Sequence, residues 1–147
     1  MEFIFEELVV KISVSDMLRS KQFYQDILGF IEDERYTINT GGVYGNESFV
    51  QMNSMSTEGT NVTIGLYKDI DGPYEPVPST GTVPSFVVPD IEITLSEFLS
   101  EGVKVVPVSE GKYIISNTSD EGYVDHFFFF LDPDNNSLVI RQNLGVE

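Results

Sequence analysis

With 147 residues, 41% of them hydrophobic and 12% aromatic, the chain carries enough apolar material for one well-cored globular domain and too much for a disordered one. Eight basic residues against 24 acidic ones leave a net charge of −16, which repels phosphate backbones and anionic lipid, so no nucleic acid is expected as a direct partner and a cationic ligand is favoured. The absence of cysteine excludes disulfides, thiolate metal sites and a cysteine nucleophile. The opening "MEFIFEELVV" lacks the pattern of a secretion signal, and no apolar run approaches the roughly 20 residues that span a bilayer. A cytoplasmic protein without a membrane partner is the expectation.

The first strong pattern in chain order is "ELVVKISVSD", where Val10, Ile12 and Val14 alternate with Val9, Lys11 and Ser13, the period of a strand with one apolar and one mixed face. Asp16 then has the chemistry of a helix N-cap, and Met17, Tyr24, Ile27 and Leu28 recur at helical spacing until Gly29. Strand-like runs follow over residues 31–36, 48–52 and 62–68. Residues 69–82, "DIDGPYEPVPSTGT", have three prolines, two glycines and no apolar period, and read as a linker.

The second half repeats the first. "VPSFVVPD" ends on a cap at Asp90, and Ile91, Leu95, Phe98 and Leu99 form a helical stripe closed by Gly102. Val9 to Asp16 and Val83 to Asp90 are equal in length, while the helices after the caps are expected to differ by one residue, as a diverged duplication predicts. Strands are expected at 103–108, 127–131 and 137–142, and "SDEGYVD" before the phenylalanine run reads as a solvated loop. The expected fold is α+β, with two tandem βαβββ modules in a single domain: module one about 5–68, linker about 69–82, module two about 83–142.

Two stretches carry a resemblance. "VSDMLRSKQFYQDILGF" resembles the opening strand-helix signature of the vicinal oxygen chelate superfamily, and "FFFFLDPDNNSLVI" resembles its closing "FxxxDPDGNxLEL" hairpin. That superfamily contains glyoxalases, bleomycin resistance proteins, fosfomycin resistance enzymes and ring-cleaving dioxygenases. The resemblance implies two modules side by side whose curled mixed sheets enclose a cleft, into which metal-using members point His, Gln or Glu from four strand positions. Carried over residue by residue, these positions are Val9, Gly65, Val83 and Val139. None has a ligating side chain, and the chain has one histidine, so no metal and no cofactor are expected.

The strand alternation places Val9, Lys11 and Ser13 on the cleft side. By parity it adds Thr63, Gly65 and Tyr67, then Val83, Ser85 and Val87, then Ser137, Val139 and Arg141. Resemblance to the glyoxalases points Phe127 and Phe129 inward as well. The candidate ligand-binding set is Lys11, Ser13, Tyr67, Ser85, Phe127, Phe129, Val139 and Arg141, a mostly apolar lining with a few polar groups. Each also has a plain structural role open to it: Lys11 can extend into solvent, Arg141 can pair with a surface carboxylate, and the phenylalanines can serve as core. His126 shares parity with Phe128 and Phe130 and is expected at the surface, away from the site; the acidic run from Ile31 reads as a solvated edge.

No GxSxG elbow or phosphate-binding glycine loop is present. The reading that follows is a small-molecule-binding protein resembling the bleomycin resistance type, homodimeric and metal-free, that sequesters a cationic or aromatic ligand. Two others stay open: a glyoxalase-related lyase or isomerase with a non-standard active site, and a ligand-sensing regulatory module. No catalytic residue is assigned.

Overall fold

A computed structural model describes residues 1–4, 8–54, 62–77 and 79–146. Residues 5–7, at the expected start of module one, and residue 78 of the linker lie outside the described residues. The chain divides into two units, Met1–Tyr74 and Glu75–Glu147.

In the first unit the alternating stretch forms strand β1 (Val9–Val14), and Asp16 caps helix α1 (Met17–Asp26) by accepting from the Arg19 amide at 3.1 Å. Gly29 follows in the left-handed conformation at φ 74°, where a side chain would be strained, and the chain turns back into β2 (Ile31–Ile38). Strands β3 (Phe49–Asn53) and β4 (Thr63–Lys68) complete a sheet of order β1-β4-β3-β2, parallel between β1 and β4 and otherwise antiparallel. The even-numbered residues Ile12, Val14, Val50, Met52, Ile64 and Leu66 are buried with Met17 and Tyr24 of α1. Each such side chain removed from water stabilises the fold by about 1.5–3 kcal/mol. The odd-numbered residues are left on the opposite, open face.

The second unit repeats the plan with β5 (Ser85–Val87), α2 (Ile91–Ser100), β6 (Lys104–Val105), β7 (Ile115–Thr118), β8 (Tyr123–Leu131) and β9 (Ser137–Val146). The sheet order is β5-β9-β8-β6, with β7 also on β8 and β5 parallel to β9. Asp90 Oδ1 accepts from the amides of Glu92 and Ile93 at 3.1 and 3.2 Å, and Gln142 Oε1 of β9 accepts from the Ile91 amide at 3.0 Å. Three orphan donors of the helix are thereby satisfied, and a cap of this kind contributes about 1 kcal/mol. Phe98 of α2 meets Phe128 and Phe130 edge-on, at ring-centroid distances of 5.8 and 4.9 Å.

The turn between β8 and β9 is built by Asp132. Its Oδ1 accepts from the amides of Asp134 and Asn136, both at 2.9 Å, its Oδ2 accepts from Asn136 Nδ2 at 2.9 Å, and Asn135 takes the left-handed position at φ 64°. Asp132 and Asp134 are fully buried, so the turn is organised from within by carboxylate-to-amide bonds.

Several sequence expectations change. The strand expected at 103–108 contracts to Lys104–Val105, because Pro107 has no amide to donate. The edge of β8 is then taken up again by β7, which lies where no strand is expected, so β6 and β7 together cover β8 as β2 covers β3. Tyr123 to Asp125 belong to β8 rather than to a loop, and β9 continues past Gln142 to Val146. Leu99 faces outward at 44% exposure, leaving Ile91 and Phe98 as the fully buried side of α2. The two helices are equal in length, and the one-residue difference between the halves falls after them, before Gly29 and Gly102.

Candidate functional site

On the open face of the first unit the strands bring side chains together in rows. Lys11 stands opposite Gly65, which faces Gln51, which faces Asp33. Ser13 stands opposite Tyr67, and Tyr67 opposite Phe49. Lys11, Ser13 and Tyr67, all named from the sequence, therefore share this face. Lys11 Nζ donates to Ser13 Oγ and to Asp69 Oδ2, both at 2.5 Å, and lies 5.6 Å from the centre of the Tyr67 ring. Burial tends to raise the Asp69 carboxyl, but the bonds from Lys11 and Ser13 outweigh it and hold the group below the usual carboxylate range.

The second unit's open face has the equivalent rows. Ser85, Val139 and Phe129 form one, and Val87, Arg141 and Phe127 the next. All five remaining candidates thus fall on this face. Phe127 and Phe129 meet edge-on at 5.6 Å and are half-buried, and Val139 is buried. Arg141 donates to Asn143 Oδ1 at 2.8 Å and to Asp125 Oδ2 at 3.1 Å, so the carboxylate pairing open to it from the sequence is made on this face. The registers of the two units match position for position: Lys11 corresponds to Ser85, Gly65 to Val139, Gln51 to Phe129, Phe49 to Phe127 and Tyr67 to Arg141.

At the four positions where the superfamily carries metal ligands, the residues present do not fit an ion. Val9 and Gly65 are neighbours: a Cβ built on Gly65 would stand 3.3 Å from Val9 Cγ1. It would also stand 2.6 Å from Phe49 Cε2 and 2.8 Å from Phe49 Cζ. The Phe49 ring therefore covers the spot from which a glutamate would project. Val83 and Val139 offer aliphatic side chains in the second unit. Among the described residues no group of three or more His, Asp or Glu side chains is placed to hold a metal ion.

Phe49, Gln51 and Asn53 of β3 are not among the sequence candidates, although the same period-two reading applied to that strand finds them. Behind them lies a polar network. Arg35 Nε and Nη2 donate to the two carboxylate oxygens of Asp33 at 2.9 and 2.7 Å, Asn53 Nδ2 donates to Asp33 at 3.2 Å, and Thr63 Oγ1 donates to Asn53 at 3.1 Å. The acidic run from Ile31 lies on an edge strand with Ile31, Glu34, Arg35 and Tyr36 exposed, but two of its carboxylates are drawn into the structure. Asp33 is buried in this network, and Glu32, on the helix side, bonds Lys21 of α1 at 2.5 Å and accepts from Thr37. His126 is half-buried, opposite Gln142, and shares the helix side of β8 with Phe128 and Phe130.

The bidentate bonds from Arg35 hold the Asp33 carboxyl at about 2, against the opposing push of burial. Its ordinary value is about 3.9. A carboxyl whose value is depressed in the folded state stabilises the fold above its unfolded value, and that contribution is lost as pH falls from about 4 toward about 2. Arg35→Gln is accordingly expected to flatten the acid side of the stability profile over that window while altering its neutral side less. Urea denaturation at stepped pH, wild type against variant, is the measurement; parallel profiles would contradict the assignment.

Two tandem βαβββ units, each with a helix on one sheet face and a lined open face on the other, define the α+β architecture of the vicinal oxygen chelate proteins. The chain belongs to the Glyoxalase/Bleomycin resistance protein/Dioxygenase superfamily, whose family model matches residues 8–140. A search of curated proteins gives no match. Among solved structures, the chain is similar to a glyoxalase/bleomycin resistance protein/dioxygenase from Alicyclobacillus acidocaldarius, with a TM-score of 0.64 and 14% identity over 93% of this chain and 90% of the other. A genomically encoded fosfomycin resistance protein, FosX, from Listeria monocytogenes has a TM-score of 0.60 and 14% identity over 92% and 91% of the two chains. A virulence protein from Salmonella typhimurium has a TM-score of 0.56 and 21% identity over 91% and 93%. These likenesses concern the fold. No helix among the described residues is long and apolar enough to cross a membrane.

Proposed function

We propose that the protein is a metal-independent binder of a small organic molecule, of the bleomycin resistance type, and that it sequesters its ligand rather than transforming it. The observation that carries this reading is the Phe49 ring lying over Gly65, with Val9 beside it and Val139 at the corresponding position of the second unit. Superfamily catalysis through a Lewis acid stabilises developing charge on the substrate with the ion, and these positions supply aromatic and aliphatic surface in its place. Phe127, Phe129 and Val139, with Ser85 and Arg141 beside them, have the composition of a small-molecule site: apolar area with a few polar groups to fix orientation. Lys11, Ser13 and Tyr67 contribute the same mixture in the first unit. The protein is proposed to act as a cytoplasmic homodimer.

Titration of the full chain with a panel of cationic and aromatic antibiotics tests the reading. Saturable micromolar binding that weakens in Phe129→Ala is expected, together with recovery of the antibiotic unchanged. Turnover of a panel member, or one equivalent of a divalent metal retained through purification and needed for binding, would favour the lyase or isomerase reading instead.

A further inference from the structure

The net charge of −16 suggests a cation as ligand, but the charge is not expressed where the ligand would lie. The cross-strand rows of the two open faces carry two carboxylates, Asp33 and Asp125, and a third, Asp69, follows β4. Each is held by a base: Asp33 by Arg35 at 2.7 Å, Asp125 by Arg141 at 3.1 Å and Asp69 by Lys11 at 2.5 Å. Much of the excess acid is elsewhere, exposed on α2 at Glu92 and Glu97 and in loops at Asp71, Asp120 and Glu121. A cationic ligand would therefore surrender its hydration to faces whose carboxylates are already neutralised. Attraction to an aromatic ring recovers only part of that loss.

The same faces offer flat apolar surface. Gly65 leaves its space to the Phe49 ring, which is half-buried and therefore half open, and Tyr67 stands opposite Phe49 on the next strand. Phe127 and Phe129 occupy the corresponding strand of the second unit. In the row next to Phe49 and Tyr67 is the uncharged amide of Gln51, and in the second unit Ser85 shares a row with Phe129.

We infer that the ligand is an uncharged, planar aromatic molecule that stacks on the Phe49 platform, an inference that rests on the binding reading above and names its ligand class. A matched pair of probes tests it: naphthyl methyl ether, which carries no charge, and naphthyltrimethylammonium, which has the same ring and a permanent one. The chain has no tryptophan, so naphthalene fluorescence reports binding to the full-length protein directly. The ether is expected to bind about tenfold more tightly than the ammonium, with an affinity that does not change between low and high salt. Phe49→Leu, which keeps apolar bulk and loses the flat face, is expected to weaken the ether about fivefold; an unchanged thermal midpoint separates this from misfolding, and Tyr67→Leu, opposite Phe49 in the same unit, serves as the second variant. Tighter binding of the ammonium, weakening with added salt, overturns the inference and leaves the binding reading standing. Equal affinities indifferent to both substitutions overturn it too, as does failure of both probes to bind. The broader reading falls only if the antibiotic panel also gives no binding.

Discussion

Truncating Phe128 to alanine should cost about 3–5 kcal/mol, and truncating its neighbour Phe129 about 1–2 kcal/mol. The four phenylalanines from 127 to 130 are identical in chemistry and adjacent in one strand, so the only variable is parity. Phe128 and Phe130 have no exposed surface and lock edge-on against Phe98 of α2, so either truncation leaves a cavity that the surrounding side chains cannot close. Phe127 and Phe129 are half-buried on the open face and already touch solvent. Against a total stability of about 5–15 kcal/mol, the first pair threatens folding and the second does not. Urea denaturation of the four single alanine variants should therefore give losses that alternate large, small, large, small from Phe130 back to Phe127. Four equal losses would mean that both sheet faces are covered, and the open face would lose its standing as a ligand site.

That alternation is legible in the residue order itself, because a strand's two faces are fixed by parity alone. The same holds for the two caps: Asp16 comes shortly after β1 and Asp90 shortly after the shorter β5, and an N-cap is recognised by its own side chain and the few residues after it. What is not legible depends on partners distant along the chain. Gln142 caps a helix 51 residues earlier, and Lys11 finds Asp69 at a separation of 58. Neither pairing has a local signal. The split of one edge strand into β6 and β7 does have one, in Pro107, whose missing amide ends the first piece. The valines and glycine at the metal-ligand positions are plain in the sequence. What fills the space at Gly65 is not, because it depends on the register that sets β3 beside β4.

Gly65→Ala should destabilise the wild-type chain by about 1–3 kcal/mol and do the reverse once Phe49 is removed. The backbone at Gly65 is not in the left-handed region, so alanine meets no conformational strain there. In most such positions the substitution stabilises by about 0.4–1 kcal/mol, because it restricts the unfolded chain. Here the added methyl would come 2.6 Å from the Phe49 ring, closer than carbon atoms approach, and the ring must swing away from the face it now covers. In a Phe49→Ala background that obstacle is gone, and only the 3.3 Å contact with Val9 Cγ1, which a small side-chain adjustment relieves, remains. The double-mutant cycle should thus yield a coupling of about 1.4–4 kcal/mol and a change of sign for Gly65→Ala between the two backgrounds. If Gly65→Ala has the same effect in both, Phe49 does not occupy the glutamate position and the case against a metal there loses its structural half. If the sign reverses, the loss of the superfamily's ligand and the arrival of the aromatic platform are a single structural change, since the ring can lie where it does only because residue 65 has no side chain.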